Sequence, residues 1–168
     1  FHGLSRPSIS IQGYLERIFK YANCSPSCFV VAYVYLDRFA QRHPSFPIDS
    51  FNVHRLLITS ILVSVKFMDD TYYNNAYYAK IGGITTSEMN VLEVDFLFSL
   101  GFQLNVTPTN FHNYCSYLQR EMTFESSLQL VEPPLNKHSG RPLLKGHSCF
   151  NEDESTNHRR LAVLRGSF

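Results

Sequence analysis

Few side chains in this chain have the type and spacing that chemistry requires. Cys24 and Cys28 stand four apart, a spacing at which two thiolates share one helix face and can bind a soft metal. Pro26 lies between them and no second ligand pair follows, so they read instead as small buried hydrophobes near a helix start. His138, His147 and Cys149 fall in an irregular stretch without metal-ligand spacing. His54 and His112 lie near helix starts and read as surface or half-buried groups rather than bases. No G-x-x-x-x-G-K-[ST] phosphate loop, G-x-G-x-x-G turn or G-x-S-x-G elbow occurs, and Gly82-Gly83 suits a helix stop. Leu36-Asp37-Arg38-Phe39 sits inside a helical period and lacks the His and the later Asn of a kinase catalytic loop. We therefore expect no catalytic residue, metal site or cofactor.

Three charged positions do stand out. Lys66 interrupts the end of a nearly all-apolar run, Glu93 sits among Leu92, Val94 and Phe96, and Asp37-Arg38 lies inside an apolar helix. Pattern alone favours a lysine snorkelling to water and an exposed glutamate, with an intramolecular ion pair as the next possibility.

These groups are carried on helices. The first starts at Ser8, with Ile11, Tyr14, Leu15, Ile18 and Phe19 as its stripe and Asn23 as its stop. The second opens on Ser25-Pro26, where serine caps and proline fits the first helical position, and ends at His43-Pro44. The third runs from about Asp49 to Met68 with little polar face, which makes it the central helix of a bundle. Ser60 and Ser64 on it are small enough to admit a close neighbour. A short fourth helix ends at Gly82-Gly83, where glycine supplies a left-handed cap. The fifth has a capping box, Thr85-x-x-Glu88, then the stripe Met89, Leu92, Phe96 and Leu100, and stops at Gly101. Thr107-Pro108 opens a sixth, with Phe111, Tyr114, Leu118 and Met122 in register. Beyond Met122, prolines, glycines and an acidic run break any period, so residues 123–168 are expected to be a flexible tail. The fold class is all-α: five helices around a buried central one, over residues 1–105, an additional helix at 106–122, and the tail.

Composition narrows the function. The 168 residues carry a formal net charge of +1, so no global field draws the chain to nucleic acid or an anionic membrane. No stretch reaches the roughly 18 apolar residues of a membrane span. The four cysteines are spread unevenly, as reduced thiols of an intracellular protein would be, in nucleus or cytoplasm. The chain opens on Phe1, which points to a trimmed or partial N-terminus.

Several motifs, in order, resemble a cyclin box: Tyr35-Leu36-Asp37-Arg38-Phe39, Val65-Lys66-Phe67-Met68-Asp69-Asp70, Leu92-Glu93, and the exit Phe102-Gln103-Leu104 before Thr107-Pro108-Thr109. The run Tyr72-Tyr73-Asn74-Asn75-Ala76-Tyr77-Tyr78-Ala79-Lys80-Ile81-Gly82-Gly83-Ile84 and the opening Ser10-Ile11-Gln12-Gly13-Tyr14-Leu15-Glu16-Arg17-Ile18 resemble the plant P-type, or U-type, cyclins, which are similar to the phosphate-responsive cyclin of yeast. The likeness covers roughly residues 1–122. It implies a non-catalytic regulatory subunit that docks on a cyclin-dependent protein kinase and holds the kinase's mobile helix inward, in cell-cycle or phosphate- and nutrient-linked control. It also implies kinase contacts for Lys66 and Glu93. Phe67, Met68, Phe96 and Leu97 are candidates for the apolar part of that face, although a core role suits them equally. Tyr72 and Tyr73 are further candidates, because tyrosine is enriched among interface anchors. No nucleic acid, membrane or small-molecule substrate is expected.

Two features depart from better-known relatives. The Met-Arg-Ala-Ile-Leu substrate patch of mitotic and S-phase cyclins is replaced by Ile9-Ser10-Ile11-Gln12-Gly13-Tyr14-Leu15, so substrate docking there does not carry over. The arginine of that patch pairs with the aspartate of the second helix, which leaves Asp37 without its usual partner and suggests a structural role, with Arg38, still to be defined. Only one five-helix repeat fits the length. Competing readings are a DNA-binding cyclin-fold protein of the transcription-factor-IIB kind, which near-neutral charge disfavours, and a helical enzyme, for which no convergent polar constellation is found.

Overall fold

Ser10, rather than Ser8, caps the first helix: its hydroxyl accepts from the Gly13 N–H at 3.1 Å. In the computed structural model, which describes Phe1, Gly3 and residues 6–129 with side chains as far as Glu121, the chain forms α1 (Ile11–Tyr21), α2 (Pro26–Arg42), α3 (Val53–Met68), α4 (Asn75–Gly82), α5 (Thr86–Ser99) and α6 (Pro108–Gln129). The described residues contain no strand. Helix α6 runs seven residues beyond the expected end at Met122, so 123–129 are helical and not part of an irregular tail. The rest of that expected tail, with His138, His147 and Cys149, lies outside the described residues.

Helix α3 is the axis. Every residue from Leu56 to Val65 is buried, and α1, α2, α4 and α5 all pack on it. Its start falls four residues later than the pattern suggests. Asp49 accepts from the Phe51 N–H at 2.8 Å, and Asn52 accepts from the Asp49 N–H at 3.0 Å while donating to the Pro47 carbonyl at 2.8 Å. These side chains offer the backbone a turn in place of a first helical turn. Ser60 and Ser64 donate to the Leu57 and Ile61 carbonyls of their own helix at 2.9 and 2.8 Å, which lets two hydroxyls be fully buried without an unpaired donor.

Other ends use the chemistry expected with local changes. Ser25 precedes Pro26 at the start of α2, but its hydroxyl donates to the Asp69 carboxylate at 2.7 Å instead of capping, and its N–H donates to the other oxygen at 3.0 Å. This ties the start of α2 to the end of α3. Burial would raise the Asp69 pKa, but the Ser25 donors outweigh it and hold the carboxyl below its ordinary value. Thr85 accepts from the Glu88 N–H at 3.1 Å, yet Glu88 does not reach back; its carboxylate accepts from Arg55 Nε at 2.6 Å, so only half the capping box forms. Gly83 ends α4 with φ +70°. The last carbonyls of α1 are satisfied from α4: Tyr77 donates to the Tyr21 carbonyl at 2.7 Å and Tyr78 to that of Ala22 at 3.1 Å.

Helix α6 lies on α2. Tyr33 meets both Tyr114 and Tyr117, with ring centroids 6.0 and 6.3 Å away, and the Tyr114 hydroxyl donates to Asp37. Asp37, 1% exposed, also accepts from Gln41 at 2.9 Å. The missing arginine is thus replaced by a tyrosine and a glutamine. Arg38 donates to the Gln103 and Asn105 carbonyls at 2.7 and 2.9 Å, and Tyr35 donates to that of Leu104 at 2.8 Å, which pins the connection into α6. His54 is buried, contrary to its surface or half-buried reading, and donates from Nε2 to the Ile9 carbonyl at 3.1 Å. Cys28 is buried and Cys24 half-buried.

Candidate docking face

The last turn of α3, the first turn of α4 and the middle of α5 meet at one polar cluster. Lys66 Nζ donates to Glu93 Oε1 at 2.6 Å. Asn75, the first residue of α4, donates from Nδ2 to Glu93 Oε2 at 2.7 Å and to Asn90 Oδ1 at 2.8 Å. The Lys66 and Glu93 side chains keep 28% and 15% of their surface, so the pair is neither sealed in the core nor fully solvated. Of the pattern-level alternatives for these residues, the ion pair is the one that forms. Lys66 has two further N–H groups with which to meet an acceptor on another molecule.

The elements that build this cluster also carry apolar side chains. Phe67 and Met68 follow Lys66 and are 48% and 41% exposed. Tyr72 and Tyr73, on the α3–α4 connection, are exposed, and Tyr73 stacks on Tyr77 with centroids 4.0 Å apart. Leu97 is half-buried against the core. Phe96 is fully buried, stacked on Phe39 at 5.7 Å, and offers no surface to a partner. It belongs to the core, as its place in the helical stripe of α5 describes.

Three exposed residues escaped the reading of the sequence. Val94, Phe98 and Phe102 are 50%, 69% and 57% exposed, and the last two pack edge to face at 5.1 Å. Val94 and Phe98 are four apart, on the side of α5 away from Met89, Leu92 and Phe96. The signal was the spread itself: the apolar residues of α5 are not gathered in one stripe, so more of them are present than one core face can absorb. Phe102 holds φ +56°, a left-handed conformation that costs a non-glycine residue roughly 1–2 kcal/mol. Asn75 was missed because only its place in the fold brings it to Glu93, eighteen residues on.

The cluster holds one carboxylate, one ammonium and two amides, a set suited to hydrogen bonding another backbone rather than to proton transfer or metal binding. Among the described residues no group of three or more His, Cys, Asp or Glu side chains is placed to hold a metal ion, and no helix is long and apolar enough to cross a membrane.

Comparison with known proteins agrees with the architecture. Residues 1–104 match the family model described as Cyclin. The chain is 67% identical to Cyclin-U4-1 of Arabidopsis thaliana over 160 residues, covering 95% of this chain and 75% of that protein. It is 64% identical to Cyclin-P4-1 of Oryza sativa subsp. japonica over 134 residues, 80% of this chain and 61% of that protein. Cyclin-U1-1 of Arabidopsis thaliana is 48% identical over 136 residues, 79% of this chain and 65% of that protein. With a cyclin model matched across all five helices of the box and these relatives beside it, the chain belongs to the cyclin family, regulatory subunits rather than catalysts, and its relatives are the U- and P-type cyclins of plants.

Proposed function

We propose that this cyclin binds and activates a cyclin-dependent protein kinase through the face centred on Lys66 and Glu93. The observation that carries the reading is the part-exposed Lys66–Glu93 pair, 2.6 Å apart, on helices that also expose Phe67, Met68, Val94 and Phe98, with exposed Phe102 just beyond α5. Such a face suits a partner helix: the apolar residues bury against it, and the polar pair reaches the unsatisfied backbone groups at the helix's end. Docked there, the cyclin holds the kinase's mobile helix inward, so that the kinase's glutamate pairs with its ATP-positioning lysine. The cyclin supplies no reacting group; it stabilises one conformation of the kinase, and kinase activity rises by population shift. Tyr72 and Tyr73 extend the contact along the α3–α4 connection. The complex acts in cell-cycle or phosphate- and nutrient-linked control.

Titrating a bound kinase with the Lys66→Ala and Glu93→Ala variants tests the assignment. A hydrogen bond to a charged group contributes about 1.5–3 kcal/mol, so each variant is expected to bind roughly 10- to 150-fold more weakly. Unchanged affinity in both, with the fold intact by circular dichroism, rejects it.

A further inference from the structure

We infer that Asn75 is the positioning residue of the docking pair, holding the Glu93 carboxylate in the orientation a partner meets. The inference rests on the kinase-docking reading and adds a residue to it. A glutamate side chain turns about three bonds, and one bond from a flexible lysine does not fix it. Glu93 is fixed from both sides: Lys66 takes Oε1 at 2.6 Å and Asn75 takes Oε2 at 2.7 Å.

The Asn75 amide is itself fully committed. Of its two Nδ2 hydrogens, one goes to Glu93 and the other to Asn90 Oδ1 at 2.8 Å. Asn90 lies three residues before Glu93, one turn back on the same face of α5, so the two acceptors dictate the plane of the amide. The backbone of Asn75 is set by its neighbour: Asn74 accepts from the Tyr77 N–H at 3.1 Å and caps α4. The two adjacent asparagines thus divide the work, one starting the helix and the other locking a carboxylate on α5. The core residues of α4, Tyr78, Ala79 and Ile81, do not involve Asn75, so its loss leaves the packing of the helix intact.

The test is the affinity of the intact chain for whichever member of a cyclin-dependent kinase panel it binds, measured for Asn75→Ala, Asn75→Asp, Asn90→Ala and Glu93→Ala, and for Asn75→Ala combined with Glu93→Ala. A neutral donor lost from a charged acceptor predicts about five- to tenfold weaker binding for Asn75→Ala, with the thermal midpoint lowered by only a few degrees. Asn75→Asp sets a carboxylate against Glu93 and weakens binding further, and Asn90→Ala, which frees one side of the amide, weakens it less than Asn75→Ala. In the Glu93→Ala background Asn75→Ala has no further effect, which a merely structural role would not produce. If Lys66→Ala and Glu93→Ala weaken binding but Asn75→Ala does not, or if the two losses multiply, the positioning role is overturned and the docking reading stands. If no kinase binds, or Lys66→Ala and Glu93→Ala bind as tightly as the parent, both fall.

Discussion

The Lys66–Glu93 pair is intact in the free protein, so it has a measurable effect on stability before any kinase is present. Glu93→Ala removes the acceptor of two side-chain bonds, from Lys66 at 2.6 Å and Asn75 at 2.7 Å. Buried hydrogen bonds to charged groups contribute about 1.5–3 kcal/mol, whereas exposed ion pairs contribute about 0–1 kcal/mol. With 28% and 15% of the two side chains still exposed, Glu93→Ala is expected to cost between those limits, about 1–2 kcal/mol. Lys66→Ala costs less, about 0.5–1 kcal/mol, because Glu93 keeps Asn75 and some water. Urea unfolding of the parent, both single variants and the double variant closes a cycle whose coupling should be about 0.5–1.5 kcal/mol at low salt, and should shrink at high salt, where a part-exposed pair is screened. A coupling indistinguishable from zero at low salt would refute the closed pair.

Other consequences follow from neighbouring features. Phe98→Ser should leave stability within about 0.5 kcal/mol of the parent because its ring is 69% exposed, yet weaken kinase binding, whereas Phe96→Ala should cost about 3–5 kcal/mol in a thermal or urea melt; equal effects of the two on stability would contradict the division of α5 into a core side and a docking side. Tyr114→Phe takes a donor from the buried Asp37 carboxylate and should cost about 1–3 kcal/mol, with loss of amide protection in α6 by hydrogen exchange; a silent substitution would show that this contact does not hold α6. His54 donates from Nε2 to Ile9, and its buried Nδ1 has no partner among the described residues. Burial holds its pKa below the ordinary histidine value, against the raising effect of the Ile9 carbonyl. The unfolded chain then binds a proton that the folded chain refuses. Stability is full above the unfolded value of about 6.5 and falls as the pH drops from there through the lower folded value. His54→Gln should flatten that slope, and an unchanged slope would assign it to another group.

How far the sequence could be read depended on the range of each interaction. The stripes Tyr14 with Ile18, Met89 with Leu92 and Phe96, and the whole of α3 follow from periodicity, because burial repeats with the helix and needs no partner to be known. Helix ends were legible where the signal is a property of adjacent residues, as at Pro26, Thr85, Gly83 and Thr107-Pro108. They slipped where side chains compete with the backbone, as Asp49 and Asn52 do before α3. Contacts between helices were not legible from pattern. Lys66 meets Glu93 across 27 positions and Tyr114 meets Asp37 across 77, and no local rule chooses an ion pair over a snorkelling lysine or a tyrosine over an absent arginine. The resemblance supplied Lys66 and Glu93 as a pair of interest. It did not supply Asn75, whose role exists only once α4 is laid against α5, nor Phe98, one of several apolar residues on a helix without a polar side.

The measurement that bears most directly on this account is co-purification of the intact chain with a panel of cyclin-dependent kinases, followed by a phosphorylation assay on each complex with a histone-type substrate. The account predicts a stable complex with at least one member, a rise in that kinase's activity on binding, and loss of both in the Lys66→Ala, Glu93→Ala double variant. A chain that is folded yet binds none of them, or binds equally well without Lys66 and Glu93, would contradict it.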